Sequence, residues 1–308
     1  MPVASAASWT PAAMPDQTGR VALVTGANSG LGFHTSLELA RRGARVLMAC
    51  RDAGRAEAAL HRLRAQVPGA QAELLSLDLA SSASIETAAT EVAGRTTSLD
   101  LLVDNAGVMA PPRTLTTDGF ELQLGTNHLG HFALTGRLLP LLLAAPAPRV
   151  VVLSSAAHKF GRMDFDDLMG ERGYRRWRAY AQSKLANLLF ARELDRRSEA
   201  TPLLVAAAHP GYASTHLQVG HGSAVQGALL RVGNALLAQS DSQGAWPSLY
   251  AATMPDVRGG DYWGPRLAEL RGAPRRVTRT KAARDDVAAR RLWQVSESLT
   301  GVTYALPA

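Results

Sequence analysis

Apolar residues run without interruption from Val21 to Thr25 and stop at Gly26. They then recur at helical spacing from Leu31 to Leu39, and the pattern ends at Arg41-Arg42-Gly43, where basic residues and a glycine close a helix. The same alternation continues along the chain. Arg45 to Cys50, Ala72 to Leu77, Leu99 to Val103, Val150 to Leu153 and Leu203 to Ala208 read as strands, with a short one near Asp261 to Trp263. Between them Asp52 to Ala65, Ser81 to Arg95, Phe120 to Leu143 and Tyr174 to Arg197 read as helices. Short apolar runs without alternating polarity are what strands covered on both faces require. Strands alternating with helices predict βαβ units and a doubly wound parallel α/β sheet of about seven strands. Beyond the sixth strand the order loosens into Gly, Ser and His, with helices predicted at Ala224 to Ala238, Gln243 to Ala252 and Ala282 to Ser298. No Pro/Ser-rich linker divides the chain. The reading is an extension over residues 1–18, then one domain over 19–308 with a small helical cap at about 212–255 and a C-terminal helix at about 282–298.

Composition narrows the function classes. Thirty-three basic and 26 acidic side chains give a formal charge of +7, and a hydrophobic share of 46% excludes wholesale disorder. All but Lys159, Lys184 and Lys281 of the cations are Arg, and their densest stretch, Arg271 to Arg291, has no interleaved aromatics. Without a binding module, that argues against a nucleic-acid partner. The single cysteine, Cys50, excludes an intrachain disulfide and a cysteine metal cluster, and fits a reducing cytoplasm. The longest apolar run, Leu138 to Pro148, is too short and too proline-rich to span a bilayer. No basic start followed by an apolar core precedes Arg20. A soluble, cytoplasmic protein is expected. His209, His216 and His221 have no carboxylate at ligand spacing, so no metal is expected.

The first chemical motif is Thr25-Gly26-Ala27-Asn28-Ser29-Gly30-Leu31-Gly32, set between a strand and a helix. Glycines there permit a tight turn and a close backbone approach, and the helix N-terminus offers N–H donors to a pyrophosphate. A bare helix-capping turn is the plainer alternative. The second strand ends where an acidic residue would hold the ribose of NAD, but Cys50 and Arg51 stand there. A guanidinium would pair with a 2′-phosphate, which favours NADP(H) over NAD(H). Arg55 is a second candidate for that contact. Asp78 could accept from the adenine amino group, or simply cap the helix that follows.

Tyr180 and Lys184 are four apart on a predicted helix and so share a face. A phenol is too weak an acid for proton transfer at neutral pH, and a neighbouring ammonium makes it usable. Alone the pair could be a surface contact. Its companions are Ser154-Ser155 and Asp104-Asn105-Ala106-Gly107, which end the fifth and fourth strands on the crevice side of the sheet. Asn127 is an odd choice inside a helix and could support a bound water. In the cap, Val225, Leu229, Val232 and Leu236 form one apolar face, which packs on the core or lies over an apolar substrate.

Taken together, these residues resemble the short-chain dehydrogenase/reductase family across about residues 19–265. The match rests on Thr25 to Gly32, Asp104 to Gly107, Asn127, Ser155, Tyr180-Ala-Gln-Ser-Lys184 and His209-Pro210-Gly211. Ala49 to Asp52, Thr126 to Phe132, Ser154 to His158 and Ser183 to Asn187 are similar to its retinol-dehydrogenase-like branch. Trp9-Thr10 and Tyr262 to Pro265 resemble bacterial, actinobacterial members. The resemblance implies a Rossmann-type sheet with helices on both faces and a catalytic set of Asn127, Ser155, Tyr180 and Lys184. Tyr180 would move the proton, Lys184 would tune it and hold the nicotinamide ribose, Ser155 would position the carbonyl, and Asn127 would hold a relay water. Gly26, Asn28, Ser29, Gly30, Leu31, Gly32, Arg51, Asp78, Leu79, Asn105, Ala106, Gly107, Pro210, Gly211 and Thr215 would complete the cofactor site. Twenty-four residues separate Ser155 from Tyr180, an insertion filled here by Gly161 to Tyr174, and Asp104 replaces a more usual Asn. The expected activity is NADP(H)-dependent interconversion of a carbonyl and an alcohol on a bulky, largely apolar small molecule. Rival readings are unconventional biosynthetic chemistry on the same scaffold and a non-catalytic NADP(H) sensor. The helices at 120–143 and 174–197 are candidates to pair across a homodimer.

Overall fold

The computed structural model describes residues 8–211 and 239–306. Eight strands form one sheet in the order β3-β2-β1-β4-β5-β6-β7-β8. They are β1 (Val21–Thr25), β2 (Arg45–Cys50), β3 (Ala72–Ser76), β4 (Leu101–Asp104), β5 (Arg149–Leu153), β6 (Leu204–Ala208), β7 (Tyr262–Leu267) and β8 (Arg271–Arg276). The first seven pair in parallel. β8 returns antiparallel along β7, with Trp263 opposite Arg276. It corrects the expected count of seven. Its sequence, Arg-Gly-Ala-Pro-Arg-Arg, carries no apolar run, because an edge strand with one pairing partner needs none.

Period-two side-chain placement divides the strands between two layers. Leu23, Leu47, Leu102, Val150 and Val205 face one buried cluster. Ala22, Val46, Leu101, Val151 and Ala206 face the other. The first layer is completed by α3 (Ser82–Arg95), α5 (Gly130–Leu143), α6 (Arg176–Arg197) and α9 (Asp286–Thr300), through Ile85, Phe132, Leu189 and Trp293. The second is completed by α1 (Gly30–Arg41), α2 (Ala53–Gln66) and α8 (Trp246–Thr253), through Leu37, Leu63 and Tyr250. α8 follows a single turn, α7 (Asp241–Gly244). Within the range read as cap, α8 is buried against the sheet, with the Tyr250 and Trp263 rings 4.3 Å apart. The helix predicted at 224–238 lies outside the described residues. Trp9 of the expected N-terminal extension is fully buried, 5.3 Å from the Tyr250 ring, and its Nε1–H meets Met254 Sδ at 3.2 Å.

Local chemistry sets where the helices begin. Asp52 accepts from Arg55 N ahead of α2, Ser81 from Ser84 N ahead of α3, and Asp285 from Val287 N and Ala288 N ahead of α9. α1 differs, since its cap residue Ser29 makes no such bond. The stretch expected as one helix from 120 to 143 is α4 (Leu122–Leu124), a π turn at Gly125–Leu129, and then α5. Among the described residues, no helix is long and apolar enough to cross a membrane.

Candidate active site

The C-terminal ends of β1, β4, β5 and β6 open on one crevice, at the point where strand order reverses between β1 and β4. Gly26 and Gly30 adopt left-handed φ values of 67° and 53°. A methyl on Gly26 would sit 3.1 Å from Ala106, and one on Gly32 would collide with the Gly26 carbonyl and the Asn105 amide. Only glycine allows this packing. Thr25 ties the turn to β4: its hydroxyl accepts from Asn105 N and Ala106 N, each at 2.9 Å, while Asn105 Nδ2 donates to Thr25 O at 2.7 Å. Beneath the turn the Cys50 thiol is buried, and burial pushes its pKa up to about 11. That makes it a neutral packing group rather than a nucleophile.

Arg51 projects into solvent just past β2, whereas Arg55, the alternative, sits 3.8 Å from Asp52. Asp78 is already engaged, because its carboxylate accepts from Ala80 N at 3.0 Å. Leu79 is buried, with its carbonyl against Gly130 of α5. Pro210 and Gly211 follow β6, Gly211 with φ 73°. Thr215 lies outside the described residues.

Tyr180 and Lys184 face the same crevice from α6, and both are at least nine-tenths buried. Lys184 Nζ lies 5.9 Å from the Tyr180 ring centroid and 3.4 Å from Leu153 O. It would be 3.3 Å from a methyl on Gly107, which explains the glycine at that place. Burial pushes the Tyr180 phenol up, and a hydrogen bond from Ser155 acts in the opposite direction. Burial alone brings Lys184 down to about 8. Lys184, which sequence reasoning expects to lower the phenol, stands one turn away on the same helix.

The four expected catalytic residues converge here, with the Asn127 side chain anchored to its neighbours. Its amide is spent: Oδ1 accepts from Val108 N at 2.8 Å, and Nδ2 donates to Val108 O and Ser183 Oγ at 2.9 Å each. Only its main-chain carbonyl remains for a water, and His131 Nδ1 already lies 3.0 Å from that oxygen. The other His131 nitrogen is 2.9 Å from Thr25 Oγ1. His131 thus joins the π turn to the glycine turn, a role that sequence reasoning missed, although Asn at i and His at i+4 on one helix face was the available signal. The insertion after Ser155 packs on α6, where Gln182 bonds Asp164 N and Leu168 O. At the N-terminal end of α6 an open cleft of about 640 Å³ is lined by Pro112, Tyr174, Trp177 and three arginines. The Trp177 ring stands 6.1 Å from that of Tyr180.

Comparison with known proteins agrees with this geometry. The short chain dehydrogenase family matches residues 20–225. Retinol dehydrogenase 14 of Mus musculus is 41% identical over 297 residues, covering 92% of this chain and 86% of its own. Retinol dehydrogenase 13 of Homo sapiens is 43% identical over 291 residues, covering 92% and 85%. Among solved structures, an uncharacterised protein from Mycobacterium paratuberculosis has a TM-score of 0.80 and 44% identity, covering 97% of this chain and 100% of that one. The chain belongs to the short-chain dehydrogenase/reductase family of nicotinamide-dependent oxidoreductases, in its retinol-dehydrogenase-like branch.

Proposed function

We propose that the protein interconverts a carbonyl and an alcohol on a bulky, largely apolar small molecule, using NADP(H) in preference to NAD(H). The observation that carries this reading is the convergence of the buried Tyr180 and, one turn away, the buried Lys184 with Ser155, at the strand ends beside the glycine turn. The residues present fit a dinucleotide. The glycine turn leaves no room for side chains, and α1 begins without a side-chain cap, so its first N–H groups are available to an anion. Arg51 is exposed and has no carboxylate within ion-pair distance among the described residues, which suits a 2′-phosphate.

Gly26 and Asn28 to Gly32 would hold the pyrophosphate. Asp78, Leu79 and Asn105 to Gly107 would line the adenosine side, and Pro210, Gly211 and Thr215 the nicotinamide. Lys184 would contact the nicotinamide ribose. When bound, the cofactor supplies or accepts the hydride. Tyr180, held protonated by burial, donates its phenolic proton to the substrate oxygen as the carbonyl becomes an alcohol. The Lys184 ammonium and the Ser155 hydroxyl stabilise the phenolate left behind, which solvent then reprotonates. In the oxidation direction the same phenolate removes the alcohol proton. Trp177, Tyr174 and Pro112 offer ring and aliphatic surface to an apolar substrate at the N-terminal end of α6, alongside Arg175, Arg176 and Arg178. Tyr180→Phe should leave NADPH binding, followed by cofactor fluorescence, within a factor of two. Carbonyl turnover should fall by about 10³-fold, the scale of a positioned acid. Unimpaired turnover in that variant would refute the assignment.

A further inference from the structure

The connection from β7 to β8 is a tight hairpin through Leu267, Ala268, Glu269 and Leu270, closed by Leu270 N donating to Leu267 O at 2.9 Å. Ala268 and Glu269 both sit at positive φ, 51° and 59°. This is the backbone of a turn that normally uses Asn-Gly, and a long side chain at its second central position is unfavourable. The strained turn aims the Glu269 carboxylate inward, where Oε2 lies 2.9 Å from Lys159 Nζ and 3.5 Å from His209 Nε2.

His209 is fully buried, and its Nδ1 accepts the Gly211 N–H at 3.2 Å. With Nδ1 as acceptor, the neutral ring carries its proton on Nε2, the nitrogen that faces Glu269. Among the described residues Nε2 makes no hydrogen bond, and the Glu269 carboxylate oxygen at 3.5 Å is the acceptor it faces. The hairpin also holds the neighbouring backbone directly. Gln239 donates to Pro210 O and accepts from Gly272 N at 3.3 Å, and a methyl on Gly211 would collide with the Leu270 carbonyl. We propose that Glu269 is a positioning residue, which orients the His209 ring so that it fixes the Gly211 amide and the backbone bordering the nicotinamide half of the site. The inference rests on the dehydrogenase reading for its consequence, but not for its geometry.

Two substitutions separate this role from an ordinary turn contact. Glu269→Gly removes the carboxylate and relieves the left-handed strain, while Glu269→Gln keeps an oxygen able to accept from Nε2–H. Hydrogen exchange at the Gly211 amide, measured by NMR without added cofactor, should quicken by about tenfold in Glu269→Gly, the scale of losing one buried polar contact. It should stay within about twofold of the parent in Glu269→Gln and in Lys159→Met. The melting temperature of Glu269→Gly should equal or exceed the parent's, because glycine suits the turn. In carbonyl reduction, Glu269→Gly should lower kcat by roughly tenfold, with Glu269→Gln near the parent. Unchanged Gly211 exchange in Glu269→Gly overturns the proposal, as does fast exchange in Glu269→Gln or Lys159→Met. If the exchange results hold but the parent turns over no carbonyl or alcohol, the activity reading fails and the Glu269 assignment stands.

Discussion

Asp104 is fully buried at the end of β4, with one carboxyl oxygen 3.1 Å from Thr135 Oγ1 and the other unpartnered. Burial pushes its pKa up to about 8, above the ordinary carboxylate value. A raised carboxyl pKa means that the folded chain binds this proton more tightly than the unfolded one. Its contribution is complete below about pH 4 and is lost as pH rises through 8, at up to ~1.4 kcal/mol per unit. Asp104→Asn should therefore flatten the fall in melting temperature between pH 5 and 9 and raise it by several degrees at pH 8. An unchanged profile would remove the carboxyl as its cause. Arg51→Glu, at the exposed end of β2, should weaken NADPH binding by about tenfold or more and spare NADH, measured by fluorescence titration. Both positions were visible as letters. The arginine's charge and exposed place were legible, because charge acts at a surface whatever the packing, but the aspartate's state depends on neighbours from α5 and the C-terminal tail.

The helical stretch read as continuous from Phe120 to Leu143 carries a π turn near its start, at Gly125–Leu129. Apolar spacing could not reveal this, since one extra residue per turn changes the periodicity only locally. The cause lies outside the helix. Val108 captures the Asn127 amide, and Gly130 is packed against the Leu79 carbonyl. His131 closes the arrangement: Nδ1–H donates to the Asn127 carbonyl, so Nε2 accepts from Thr25 Oγ1. Burial holds this ring neutral, with its pKa down to about 4. His131→Phe keeps the volume but orphans both partners. It should lower unfolding stability by about 2–3 kcal/mol in urea denaturation, and a change under 0.5 kcal/mol would show that the link carries no weight.

Across the whole molecule, the C-terminal helix α9 decides what the long helices can do. The Trp293 ring lies 5.1 Å from Phe132 of α5 and stacks 6.1 Å from Phe190 of α6. Tyr304, beyond α9, donates to Phe132 O at 2.6 Å. As a result, residues 180–191 of α6 are buried on every side. Much of the two helices considered for pairing across a dimer is thus covered by their own chain. Light scattering at micromolar concentration should give the mass of a single chain. A stable dimer would mean that another surface mediates association or that α9 is displaced.

The order of strands and helices, the glycine turn, the Tyr180-Lys184 pair and the Ser155 companion were readable from the chain, because each depends on local spacing or on backbone freedom at a glycine. The eighth strand was not, since edge pairing needs no apolar pattern, and neither was α8's place in the core. Proton placement was also decided only by the assembled fold. The phenol's dominant influence is desolvation by distant segments, and Glu269 reaches His209 only because a hairpin folds back over the end of β6. Sequence spacing specifies which groups can share a face; burial and long-range contacts determine their charge and partners.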